Sequence, residues 1–218
     1  MRTFALLCLW TSAALAIPTP TAWEPTGAKD GIALFKKEVA GSAIIALRGQ
    51  GRVEAPLWKV ASILLDTKRA PEWVDSMGES RVLRRISLDS YIEYNLIKTP
   101  VILQDRDFVS HVKIDVDPAG KSFALIYSPA DDKLNTWNHT RGEIRSGRFE
   151  LSATADGATY VDAEVHCDPM GSVPKWVVNL FQEDWPQLTF TGLRAQAAKA
   201  DIRTPDNFRD VLAPLLPR

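Results

Sequence analysis

Asp168-Pro169-Met170-Gly171-Ser172-Val173-Pro174-Lys175-Trp176-Val177-Val178-Asn179 hands an apolar β-strand over to the start of a long helix. Asp-Pro and Gly are turn chemistry. Ser172 can cap the free N–H groups of a helix start, and Pro174 falls where a first turn tolerates a missing N–H. Downstream, Val173, Val177, Leu180, Phe181, Leu188 and Leu193 trace an apolar stripe over residues 173–200, a helix of about 25 residues. Pro186 inside it removes one backbone hydrogen bond and predicts a kink near Gln182 to Asp184.

Upstream, alternation dominates. Residues 80–88, 90–98, 106–116, 121–128, 141–152 and 158–168 read as strands parted by turn residues such as Asp117-Pro118-Ala119-Gly120 and Asp156-Gly157. From Arg106, one face carries Phe108, Ser110, Val112, Ile114 and Val116. The other carries Asp107, His111, Lys113 and Asp115. An antiparallel sheet with one dry and one wet face gives that pattern, and the dry face needs a cover. The long helix is that cover.

Earlier in the chain, residues 31–54 read as two strands around a Gly41-Ser42 turn. Glu54-Ala55-Pro56 then opens a helix with Leu57, Val60, Ala61, Leu64 and Leu65 on one face. The first sixteen residues have a secretory leader's features: Arg2, an apolar run from Phe4 to Ala14, and the small-x-small site Ala14-Leu15-Ala16. The expected organisation is a signal peptide over 1–16, an extended leader over 17–23, one domain over 24–200, and a tail over 201–218 with one short helix. Cleavage after Ala16 leaves a periplasmic or secreted chain of about 200 residues, enough for one well-cored domain. Of two cysteines, Cys167 alone survives cleavage, so no intramolecular disulfide forms.

The formal net charge is −1, with 26 basic against 27 acidic side chains. Nucleic-acid partners leave a basic footprint, and this chain has none. The same near-neutral balance argues against strong attraction to anionic lipid surfaces. No Gly-x-Ser-x-Gly, His-Glu-x-x-His, phosphate loop or dinucleotide fingerprint occurs.

Four patches, in order, resemble START domains, the steroidogenic-acute-regulatory-protein-related lipid-transfer family. They are Leu64-Leu65-Asp66 with Pro71-Glu72-Trp73-Val74-Asp75; Pro100 with Gln104-Asp105-Arg106-Asp107-Phe108-Val109; Arg141-Gly142-Glu143-Ile144-Arg145; and the Asp168–Asn179 stretch. The resemblance spans about residues 24–200. It implies an α+β helix-grip fold, in which a curved antiparallel sheet wraps around a long C-terminal helix and encloses a hydrophobic cavity. It also implies one bound lipid, sterol or similar amphiphile; transient membrane contact during exchange is expected, and no cofactor is. Some members carry a buried Glu–Arg pair in the tunnel; the Glu falls on Glu93 and the Arg on Val112, so the sterol-type polar contact does not carry over.

The cavity candidates are Glu93, Asn95, Phe108, Val112, Arg145, Val177, Leu180 and Phe181. Glu93 is either a head-group anchor partnered by Arg145 or part of a solvated face. Arg106-Asp107 reads as a structural ion pair, and Trp73 as support between helix and sheet. Asp162, Glu164, His166 and Asp168 form a row on one strand face; alternation alone produces such a row, so no metal site is assigned. Leu134 and Trp137, in the polar loop from Pro129 to Thr140, are gate candidates. Ligand binding for transport or sequestration is the leading reading. The alternatives are an enzyme using the same cavity, a cyclase or hydrolase of the wider helix-grip superfamily, and an interaction module whose interior side chains fill.

Overall fold

A computed structural model describes residues 22–99, 104–117, 119, 121–130 and 138–212. Ten strands form one sheet: β1 (Glu24–Lys29), β2 (Ile32–Lys37), β3 (Ala46–Val53), β4 (Met77–Ser87), β5 (Ser90–Ile97), β6 (Arg106–Val116), β7 (Ser122–Pro129), β8 (Thr140–Arg141), β9 (Glu143–Ala153) and β10 (Thr159–Asp168). The order across the sheet is β1-β2-β3-β10-β9-β7-β6-β5-β4, with β8 pairing parallel to the start of β6. All other pairings are antiparallel, and β10, the last strand, inserts between β3 and β9. Helix α1 (Leu57–Leu65) follows β3. Helices α2 (Lys175–Gln182), α3 (Trp185–Ala197) and α4 (Phe208–Leu212) follow β10. This is the expected α+β helix-grip arrangement.

Three N-terminal strands stand where two are expected. β1 is the extra one, exposed along its whole length. It lacks the apolar alternation that marks the other strands, and as an edge strand it needs none.

The expected single long helix is two. α2 ends at Gln182, residues 183–184 turn, and Pro186 occupies the first turn of α3, where its missing N–H costs nothing. The break re-phases the apolar stripe: Leu188 points outward, while Pro186, Thr189, Phe190, Leu193, Gln196 and Ala197 face in. Ser172 is exposed and caps nothing; Pro174 is the residue before α2, its carbonyl accepting from Val177 and Val178.

α3 lies directly on β3 because β3 presents glycines to it. A Cβ at Gly49 would meet Pro186 at 2.9 Å, and one at Gly51 would meet Phe190 at 2.9 Å. With α1 and α3 against it, the concave face at this end is a packed core that includes Ile32, Val53, Phe123, Leu151 and Val161.

The wet face expected opposite is dry around β5. Ile92, Tyr94, Leu96 and Val109 form a second cluster on the convex side, with Leu83 and Ala130 against it. Asp107, expected on a solvated face, is consequently buried.

Candidate functional site

Cross-strand register fixes which residues share the concave face at the β4–β7 end, where Tyr91 and Val112 still belong to the packed core. Glu93 lies opposite Val82 on β4 and Ser110 on β6; Asn95 opposite Ser80 and Phe108; Tyr91 opposite Val112; and Val112 opposite Tyr127 on β7. One corner of the interior therefore gathers Ser80, Tyr91, Glu93, Asn95 and Ser110, all buried.

A β-bulge adds a cation. Between Val82 and Arg84 the β4–β5 register shifts by one residue, so Leu83 packs with the convex cluster and Arg85 stands opposite Tyr91 on the concave side. Strict alternation from Val82 would have turned Arg85 outward. Its guanidinium lies over the Tyr91 ring, 5.7 Å from the centroid.

Polar groups in this corner are under-satisfied. Glu93 accepts from Ser80 Oγ at 3.0 Å, yet its Oε2 has no partner. Arg85 Nη1, Tyr91 Oη, Asn95 Oδ1 and Ser110 Oγ are likewise buried without a partner among the described residues. Buried polar atoms are nearly always hydrogen-bonded, and this corner holds five of the ten buried side-chain atoms without a partner among the described residues. Loss of solvent pushes the Glu93 carboxyl up to about 7, against the opposing pull of Ser80 and Asn95. Burial likewise raises the phenols of Tyr91 and Tyr127, with Glu93 adding to both.

Next to this corner the inner wall is apolar and partly open. Tyr127, Ile144, Phe149, Val165, Cys167 and Trp185 all retain accessible surface. Phe149 stacks edge-on to Tyr127 at 6.4 Å and to Trp185 at 6.2 Å, joining the sheet to the first residue of α3. The Cys167 thiol is pushed up to about 12 by burial, although the residue keeps accessible surface.

The remaining candidates divide between the same face and α2. Val112 is fully buried in the packed core between Tyr91 and Tyr127, and contributes no open wall. Phe108 is buried with its ring against the backbone of Gly142. Val177 is half-buried on α2, while the side chains of Leu180 and Phe181, and all of Leu134 and Trp137, lie outside the described residues.

Arg145 is not the partner of Glu93. The β9–β10 ladder passes from Ser146–His166 to Ile144–Cys167, so Arg145 is the extra residue of a bulge, and it reaches Asp168 instead, Nη2 to Oδ2 at 2.9 Å. Asp168 also accepts from Lys175 Nζ and the Met170 amide, each at 2.9 Å. Burial opposes ionisation there, but Lys175, the Met170 amide and Arg145 outweigh it and hold the carboxyl below its ordinary value.

Arg106 and Asp107 do not pair as expected either. Arg106 donates to the Gln104 carbonyl, and Asp107 takes the fork of Arg141, Nε at 3.1 Å and Nη2 at 3.0 Å. On β10, Asp162 binds Arg48 and Gln50, and His166 meets Ser42. Among the described residues no group of His, Cys, Asp or Glu is placed to hold a metal, and no helix is long and apolar enough to cross a membrane.

Sequence reasoning missed Arg85, because a bulge defeats a period-two reading. It missed Tyr91, Ser110 and Tyr127 as site residues, since each also reads as an ordinary dry-face residue.

An antiparallel sheet curved around C-terminal helices, with a half-open apolar wall and a polar corner, defines a helix-grip domain. The START domain family model matches residues 24–184, and the chain belongs to that family. An uncharacterised protein of Pseudomonas aeruginosa is 28% identical over 181 residues, covering 81% of this chain and 87% of the relative. Human StAR-related lipid transfer protein 5 has the same fold, with a TM-score of 0.75 at 14% identity, over 80% of this chain and 86% of its own. A STAR-related lipid transfer protein from Xanthomonas axonopodis superimposes with a TM-score of 0.72 at 23% identity, over 81% and 99%.

Proposed function

We propose that this domain binds one hydrophobic small molecule, a lipid or similar amphiphile, between the concave sheet face and the C-terminal helices, for transport or sequestration. One observation carries the reading: five buried, unpartnered polar atoms stand together at the edge of an apolar wall that keeps accessible surface. An amphiphile answers both features, its apolar body covering the wall and its polar end meeting the corner. Shielding a few hundred Å² of ligand surface would contribute on the order of 10 kcal/mol before the entropy of association is subtracted.

Membership of the START family and the fold shared with lipid transfer proteins support this reading. An enzyme would need an acid–base pair at the ligand. On the concave faces of β5, β6, β7, β9 and β10, Glu93 is the only carboxyl, and no histidine joins it. The Ala14-Leu15-Ala16 site supports action in the periplasm or outside the cell. Intact mass of exported protein should then begin at Ile17, and retention of Met1 overturns the location.

Native mass spectrometry tests the function. Protein purified without detergent should carry one small-molecule adduct that organic extraction removes, and the emptied protein should take up a fluorescent long-chain probe at one site. Protein that carries no adduct and binds no such probe would end this proposal.

A further inference from the structure

We propose that Arg85 is the charged anchor of the interior corner and that the amphiphile it selects carries a carboxylate at its polar end. This rests on the cavity reading above and adds the chemistry of the ligand's head.

The bulge at Leu83 comes first, because it alone brings Arg85 to the concave side opposite Tyr91. Bulges that re-aim one side chain are features that a site uses, and here the re-aimed chain is a guanidinium. Its ionic state is the second observation. Arg48, Arg52, Arg69, Arg141, Arg145 and Arg148 each hold a carboxylate. Arg85 forms no ion pair among the described residues; its contact is the face of Tyr91, and its Nη1 is buried without an acceptor. A half-enclosed cation with an unmet donor is a costly arrangement in a free-standing fold. An anion supplied from outside relieves it.

The rest of the corner sets which anion. Tyr91 Oη and Ser110 Oγ are neutral hydroxyls that can donate, and Asn95 Oδ1 accepts. Burial raises the Glu93 carboxyl to about 7, so at about pH 6 it is mostly protonated and can donate its own proton to a carboxylate oxygen. Arg85 is thus the one full charge here, and one guanidinium balances one monoanion. A carboxylate matches its planar fork with two parallel hydrogen bonds. A hydroxyl head would leave the charge unmet, a cationic head would be repelled, and a phosphate dianion would exceed the single positive charge.

The test compares matched ligands on the full chain after organic extraction. Palmitate, hexadecanol and methyl palmitate share an apolar tail and differ in the head. At about pH 6, below the point at which Glu93 ionises, titration should show palmitate binding at least about tenfold tighter than either neutral ligand, as a charge-assisted pair provides. Arg85→Gln should erase that preference, bringing palmitate to within about twofold of methyl palmitate, and Arg85→Lys should keep part of it. Equal binding of palmitate and its methyl ester by the parent protein, a comparison that needs no variant, overturns the inference and leaves the cavity reading standing. So does a preference that survives in Arg85→Gln. Failure of all three ligands to bind the parent protein removes the cavity reading together with the inference.

Discussion

Gly192 of α3 sits so close to Trp73 that a Cβ on it would come within 1.9 Å of the Trp73 carbonyl oxygen. Trp73 belongs to the connection after α1, and it packs against the main core cluster. The contact sets how deeply α3 can settle over the sheet, and so where Trp185 and Phe190 stand above the interior. Gly192→Ala pits two effects against each other. Alanine is favoured over glycine inside a helix by about 1 kcal/mol, but here it must displace backbone, and overpacking of that kind costs about 1–3 kcal/mol or more. The clash should win, lowering the urea midpoint by an amount equivalent to about 2 kcal/mol. A variant as stable as the parent would mean that the two segments separate easily.

Glu93 should give the folded protein a distinctive pH dependence. Its carboxyl is raised from 4.5 to about 7 by burial. Below about pH 4.5 both folded and unfolded chains carry the proton. Between about 4.5 and 7 the folded chain keeps a proton that the unfolded chain has released, so stability falls as pH rises through that window and levels off above it. The full effect is on the order of 3 kcal/mol. Its surroundings are Ser80, Asn95, Ser110, Tyr91, Tyr127 and, across Tyr91, Arg85. Glu93→Gln should remove this slope, so the stability difference between parent and variant should change sharply between about pH 5 and pH 8. Parallel pH profiles would show that Glu93 is solvated.

Alternation exposed the strands because each buries one face, and six of them are legible in the sequence to within three residues. What it could not reveal has one physical origin. A bulge inserts a residue without a sequence signature, and two bulges decide this site: one brings Arg85 in from β4, the other takes Arg145 away from Glu93 to Asp168. Burial of β5 on both faces was hidden for a related reason. Asp107 reads as a wet-face residue until the convex cluster and the parallel β8 are placed over it. Pro186 announced an interruption, but only the turn at 183–184 turns a kink into two helices that present different faces.

Arg141 and Asp107 tie the short β8 strand to β6. Asp107 has no accessible surface, and the Gly142 amide also donates to its backbone carbonyl at 2.8 Å. Burial, followed by the nearby Asp107 charge, raises the Tyr94 phenol beside the pair. Arg141→Leu would leave the buried carboxylate without its bidentate fork. Loss of about 2 kcal/mol is expected, since two charge-assisted hydrogen bonds to a buried carboxylate are removed. Asp107→Asn with Arg141→Leu should recover part of it. Chemical denaturation of the two variants decides the matter, and a single variant no less stable than the parent would show that the pair is dispensable.

α2 closes the rim with several hydrogen bonds that water can replace. Among the described residues, Val178 is buried and the remaining ties to the sheet are polar: Lys175 Nζ to Asp168 at 2.9 Å, Asn179 to the Ala43 carbonyl and the Ile45 amide at 3.3 Å each, and Gln182 Nε2 to the Cys167 carbonyl at 3.2 Å. α3, by contrast, is seated in the glycine groove of β3 with Phe190 fully buried. An enclosed ligand leaves only if some cover opens, and a cover held by exchangeable hydrogen bonds opens at lower cost than one held by apolar burial. Lys175→Gln removes one tie, while Arg145 still holds Asp168. Because Lys175 is half-exposed, the change should cost less than about 1 kcal/mol of global stability. Release of a bound fluorescent long-chain probe should nevertheless quicken several-fold in stopped-flow measurements. If release is unchanged while the melting temperature drops, Lys175 is scaffold and the opening lies at another part of the rim.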